Sequence, residues 1–95
     1  MEIGSFRHKD LRRLFDDDDA SKVDPGCADK LRLILAFLQD MAGDDELKAP
    51  PKWGAHPLTG DRKGAWSLTV TRNWRLTFRV DDDGALQDID FEDYH

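Results

Sequence analysis

"AWSLTVTRNWRLTFRV", residues 65–80, decides the fold. Apolar side chains fall on alternate positions, Trp66, Leu68 and Val70, then Trp74, Leu76, Phe78 and Val80. A period of two marks a strand with one buried face, and here it runs twice with a turn between. A two-residue loop at Arg72-Asn73 would set Val70 against Arg75 and throw the two apolar sets onto opposite faces. A three-residue loop, Thr71 to Asn73, pairs Val70 with Trp74, Leu68 with Leu76 and Trp66 with Phe78, keeping one face apolar. That loop is the expectation, with Asn73 in the left-handed conformation that Asn tolerates. Ser67, Thr69, Arg75, Thr77 and Arg79 then share the other face.

The next turn, "DDDG", gives a four-residue loop from Asp81 to Gly84. It pairs Phe78 with Gln87, Leu76 with Ile89 and Trp74 with Phe91, and it sets Arg75 opposite Asp90. Upstream, "EIGSF" reads as a short first strand, and "HKDLRRLF" places Leu11, Leu14 and Phe15 at helical spacing. Asp24-Pro25 is a strong helix start. From there Leu31, Ile34, Leu35, Leu38 and Met41 trace one face as far as a stop at Gly43. Pro50-Pro51 holds the chain extended into the second half. The expected architecture is α+β: a small antiparallel sheet with two N-terminal helices packed on one face, forming a single domain over residues 1–95.

A chain of 95 residues buries roughly 60 to 65 % of its unfolded surface, enough for one modest core. No run approaches the ~20 apolar residues of a membrane span, and the opening residues lack the apolar core of a signal peptide, so a cytoplasmic location is expected. Cys27, the single cysteine, fits a reducing compartment and reads as an unreactive helix-start thiol. The net charge of −6 argues against adhesion to nucleic acid or anionic membrane by simple attraction. Its distribution is uneven. From Trp53 to Arg79, five basic residues (Arg62, Lys63, Arg72, Arg75, Arg79) face Asp61 alone, a local +4 that leaves −10 on the rest. The four Asp residues 16–19 lack the alternating ligands and glycine of a calcium loop and read as a solvated connection.

The open face gathers the residues that could do chemistry. Imidazole suits proton transfer near neutral pH and guanidinium suits phosphate oxygens. His56 and His95, with Asp93 and Tyr94, are the proton-transfer candidates, whereas Arg75, Arg62, Lys63 and Arg79 are the phosphate- and RNA-binding candidates. Together they fit metal-independent cleavage of a phosphodiester. One group takes the ribose 2′-hydroxyl proton, the arginines hold the phosphorane charge, and another group protonates the leaving 5′-oxygen. No His or Cys pair has metal-ligand spacing, so neither metal nor cofactor is expected. The plain alternatives are polar loop surface for His56, a packing residue with a wet hydroxyl for Tyr94, a loose end for His95, a solvated surface for Arg62, Lys63 and Arg79, and a cross-strand ion pair of Arg75 with Asp90. His8 reads as helix-start surface. A straight last strand would point Asp93 and His95 towards the helices, so the chain is expected to bend after Glu92.

"HPLTGDRKGAWSLTVTRNWRLTFRV" followed by "DIDFEDYH" resembles the HigB branch of the RelE/ParE toxin superfamily, whose members typically read HPLKGDR, GxWS, NWRxxF and a closing DYH. "SFRHKDLRRLF" is similar to the family's opening, so nearly the whole chain takes part. The resemblance implies a ribosome-dependent mRNA endonuclease of a type II toxin-antitoxin system. Its partners would be the small-subunit decoding site, mRNA and a HigA-type helix-turn-helix antitoxin, with DNA touched only through that antitoxin. It further implies that His56, Asp93, Tyr94 and His95 form the catalytic group, that Arg75 contacts the phosphate and that Arg62 holds RNA or ribosome. Thr59 stands where the family usually has Lys. Two other readings are a non-enzymatic gyrase inhibitor like the ParE relatives, and an attenuated toxin that acts through its antitoxin in operon repression. His56 and "DYH" favour the enzyme, since a binding poison needs no proton-transfer groups.

Overall fold

Side-chain caps set where both helices begin. In the computed structural model, which describes residues 1–48 and 50–93, α1 spans Lys9–Asp17 and α2 spans Pro25–Asp40. His8 Nδ1 accepts the Leu11 amide at 3.2 Å, so His8 is the cap of α1 rather than idle surface. Asp24 accepts the Gly26 amide at 2.9 Å and Pro25 fills the first turn of α2. The stop comes before Gly43. Met41 turns to extended backbone and buries its side chain, and Gly43 instead precedes a short 3-10 turn, Asp44–Leu47.

Four strands follow: β1 (His56–Pro57), β2 (Ala65–Thr71), β3 (Trp74–Val80) and β4 (Leu86–Asp93). They lie in the order β1-β2-β3-β4, every neighbour antiparallel. Leu11 and Leu14 of α1 and Leu31, Ile34, Leu35 and Leu38 of α2 share one core with Leu68, Val70, Leu76, Phe78 and Ile89. Burying each such side chain stabilises the fold by about 1.5–3 kcal/mol. This is the expected α+β arrangement, with helices on one face and the other face open.

The turns differ from expectation. β2 and β3 are joined by only two residues, Arg72 and Asn73, with Thr71 opposite Trp74. The anticipated register nevertheless holds at Leu68–Leu76 and Trp66–Phe78, because a bulge at Val70 absorbs one residue. The bulge restores the parity that a tight turn alone would have broken. Asn73 is not among the residues of positive φ, so the three-residue loop and its left-handed end are both overturned.

The second hairpin shows a larger correction. Val80 pairs with Leu86, which makes the loop five residues long, and a further bulge lies opposite Phe78, where Asp88 takes φ 54°. Together these two extra residues slide β4 by one full side-chain repeat. Leu76 meets Phe91, Trp74 meets Asp93 and Arg75 meets Glu92, while Thr77 takes Asp90. The strand stays paired with β3 through Asp93, and the rest of the expected bend after Glu92 falls outside the described residues. Tyr94 and His95 lie outside the described residues.

"EIGSF" is not a regular strand. It runs parallel to β4 and touches it through two isolated bridges, Ile3–Leu86 and Phe6–Ile89. The Asp88 bulge interrupts the ladder between them, and the Ser5 hydroxyl accepts the Asp88 amide at 2.9 Å while donating to Gln87 at 2.6 Å. Among the described residues no helix is long and apolar enough to cross a membrane.

Candidate active site

Cross-strand pairing lays out the open face. His56 sits opposite Ser67, Ser67 opposite Thr77 and Thr77 opposite Asp90, and the next row holds Thr69, Arg75 and Glu92. A cleft of roughly 270 Å³ lies on these rows, lined by His56, Arg62, Arg75, Thr77, Glu92 and Asp93 among others. Four of the sequence candidates therefore meet in one place.

His56 is oriented by the turn before it. Trp53 (φ 49°, ψ 40°) and Gly54 (φ 62°) are successive left-handed residues, and they bring the Gly54 carbonyl to 3.1 Å from His56 Nδ1. Glycine takes that conformation freely, whereas Trp53 is held in it by an edge-on contact with Phe37 of α2, ring centres 5.4 Å apart. Lys52 Nζ lies 5.7 Å from the centre of the same Phe37 ring. A carbonyl can only accept, so Nδ1 carries the hydrogen. In neutral His56 the lone pair is therefore on Nε2.

Arg62 stands on the short turn Gly60–Arg62 and reaches β4. Its guanidinium grips Glu92 with both arms, Nη1 to Oε1 at 3.0 Å and Nη2 to Oε2 at 2.6 Å, and the Thr77 hydroxyl donates to the same Oε2. The Arg62 contact holds the Glu92 carboxyl below its ordinary range, with the Thr77 bond adding and partial burial opposing. Glu92 raises the Arg62 pKa in return.

Arg75 does not pair with Asp90. It faces Glu92 across the strands, and its Nη1 donates to the carbonyls of Thr71 (2.8 Å), Arg72 (3.2 Å) and Trp74 (3.2 Å) around the β2–β3 turn. Lys63 and Arg79 lie apart from His56, in a neighbouring cleft of about 230 Å³ that also includes Arg7, Arg62, Asp61, Asp88 and Asp90. Arg79 there pairs with Asp88 at 2.9 Å. Arg62 belongs to both clefts. Cys27 is buried against the core, and burial pushes its thiol up, in keeping with an inert group.

Among the described residues no three His, Cys, Asp or Glu side chains group as metal ligands. Sequence reasoning missed Glu92, Thr77 and the Gly54 carbonyl. Strand parity did place Glu92 on the open face, but the expected register gave Asp90 its position.

A four-stranded antiparallel sheet backed by two helices is the fold that this chain shares with several small proteins of known structure, toxins among them. The fold matches that of a YoeB/ParE toxin from Agrobacterium tumefaciens (TM-score 0.61, 18% identity, 97% of this chain and 99% of that one). YafQ from E. coli strain BL21(DE3) is equally similar (TM-score 0.61, 18% identity, 97% and 93%), and the YoeB-YefM complex from Staphylococcus aureus gives a TM-score of 0.59 at 14% identity over 100% and 99%. Within that class, residues 4–95 match the model of the HigB-like toxins, described as the RelE-like toxin of type II toxin-antitoxin system HigB, and the chain belongs to this family. Its sequence is 37% identical over 94 residues to Endoribonuclease HigB of Proteus vulgaris, covering 98% of this chain and 99% of that protein.

Proposed function

We propose that this toxin is an endoribonuclease that cuts mRNA in the small-subunit decoding site of the ribosome, without a metal, by attack of a ribose 2′-hydroxyl. The observation that carries the reading is one open-face cleft holding an imidazole of fixed tautomer beside two guanidinium groups. His56 Nε2 takes the 2′-hydroxyl proton, and the freed oxygen attacks phosphorus. Arg75 and Arg62 stabilise the charge that builds on the phosphorane oxygens. A group from Asp93, Tyr94 and His95 returns a proton to the departing 5′-oxygen, leaving a cyclic phosphate. Each positioned proton transfer contributes about 10²–10⁴-fold to the rate. Lys63 and Arg79, one cleft away, hold the RNA backbone.

A type II toxin is kept silent by a protein antitoxin, and we assign that role to a HigA-type helix-turn-helix protein that alone contacts DNA. The site of action is then the cytoplasm. The test is primer extension on mRNA in translating ribosomes with and without the protein. New 5′ ends are expected. Their absence would overturn the nuclease reading in favour of gyrase inhibition or operon repression. Removal of His95 by a one-residue truncation should abolish cleavage and growth arrest with the fold intact, and full toxicity of the shortened chain would remove His95 from the mechanism.

A further inference from the structure

Among the described residues the Arg62–Glu92 contact stands apart from the other ion pairs in using both carboxylate oxygens and recruiting a hydroxyl. The two arms of the Arg62 guanidinium each meet one oxygen of Glu92, and Thr77 supplies a third donor to Oε2. A phosphodiester offers the same fork two non-bridging oxygens in the geometry a carboxylate offers. We propose that Glu92 is a stand-in occupying a phosphate subsite made of the Arg62 fork and the Thr77 hydroxyl, and that a phosphodiester of bound RNA displaces it.

Three features of the structure support this exchange. The carboxylate sits in the cleft that also holds His56, Arg75 and Asp93, so a phosphate in its place would lie among the groups assigned to catalysis. Glu92 is fixed near the end of the outer strand β4 by its pairing with Arg75, whereas Arg62 rides on a loop turn and is 48% exposed, free to follow an incoming anion. The exchange also conserves donors. Arg62 gives up two charge-assisted bonds and regains two, so RNA has to overcome only the loss of the Glu92 contact. This inference rests on the proposed nuclease reading and adds a residue that weakens binding rather than strengthening it.

The test measures affinity of the whole chain for a single-stranded hexaribonucleotide, 2′-O-methylated throughout so that it cannot be cut, by fluorescence anisotropy. Glu92→Gln keeps the shape and removes the charge, and its Kd should fall about fivefold, the size of a partly exposed ion pair. Asp82→Asn makes the same charge change on the exposed β3–β4 loop and should alter Kd by less than about 1.5-fold, because mobile ions screen so distant a charge. Glu92→Asp keeps the charge but shortens the arm by one methylene, and it too should bind more tightly than the parent chain. In an Arg62→Ala background, Glu92→Gln should bring no gain. The proposal is overturned if Glu92→Gln matches Asp82→Asn, if its gain survives without Arg62, if it weakens binding, or if no variant binds. Missing 5′ ends on ribosomes would instead remove the nuclease reading and leave this binding result as it stands.

Discussion

Gly54→Ala tests whether the turn before His56 is built to aim the imidazole. The backbone at Gly54 has φ 62°, and an L-residue there costs roughly 1–2 kcal/mol. An added Cβ would meet Thr69 Oγ1 at 3.4 Å, an ordinary contact, so conformation and not crowding sets the cost. Restricting the unfolded chain returns about 0.4–1 kcal/mol. The net destabilisation is then about 1 kcal/mol, which in a domain of this size lowers Tm by about 4–8 °C. The functional effect follows from the 3.1 Å contact between His56 Nδ1 and the Gly54 carbonyl. If the carbonyl moves to relieve the strain, the ring loses its partner, both tautomers become populated, and fewer molecules carry the lone pair on Nε2. Cleavage should slow by about two- to tenfold in kcat with KM nearly unchanged, well short of the ~10²–10⁴ lost with a whole general base, as in His56→Gln. Thermal unfolding gives the first number, and imidazole ¹⁵N shifts give the tautomer directly. A variant at least as stable as the parent, or one with an unchanged His56 tautomer, would refute the reasoning.

Acid should loosen the loop that carries Arg62. The Glu92 pKa is lowered in the folded state by Arg62, so the pair's contribution is complete above the ordinary value of 4.5 and is lost as pH falls through the folded one. Between pH ~6 and ~3.5, urea unfolding should show the parent losing about 0.5–1 kcal/mol more than Arg62→Ala, and an equal loss in both proteins would contradict this. For Arg75→Ala, release of the turn carbonyls should cost about 1 kcal/mol. Cleavage should fall by about 100-fold or more, and a fall no larger than the stability loss implies would make Arg75 a turn brace only. Ser5→Ala removes the acceptor of the Asp88 amide and should cost about 1 kcal/mol, with faster hydrogen exchange at that amide; unchanged exchange would mean another acceptor takes over.

The apolar alternation over residues 66–80 and the Asp24-Pro25 start carried the fold into view, because burial of one strand face and one helix face is what the sequence pattern encodes. Bulges escape that logic. A bulge at Val70 lets a two-residue turn satisfy the same pattern as a three-residue loop, so the pattern cannot choose between them. A slip of two residues in β4 leaves every side chain on its own face, and hydrophobicity is therefore indifferent to whether Asp90 or Glu92 meets Arg75. The cleft's membership was legible at His56, Arg62 and Arg75, polar groups on the open side, whereas Asp93 lines it from a position that pairs with Trp74. The Gly54 carbonyl was not. A backbone oxygen carries no residue letter, and its aim depends on Trp53 adopting a left-handed conformation while its ring packs on Phe37.

The seam between the opening segment and β4 has a kinetic meaning. Ser5 and Gln87 are separated by 82 positions in sequence yet bonded side chain to side chain, whereas the β2–β3 hairpin closes across two residues. Loop closure over the longer span is entropically dearer and slower, so the hairpin is the natural nucleus and the seam zips late. Glu92 and Asp93 belong to the strand that the seam holds on its outer edge. In that order of assembly the hairpin that carries Leu68 and Leu76 forms before Glu92 and Asp93 complete the cleft with His56.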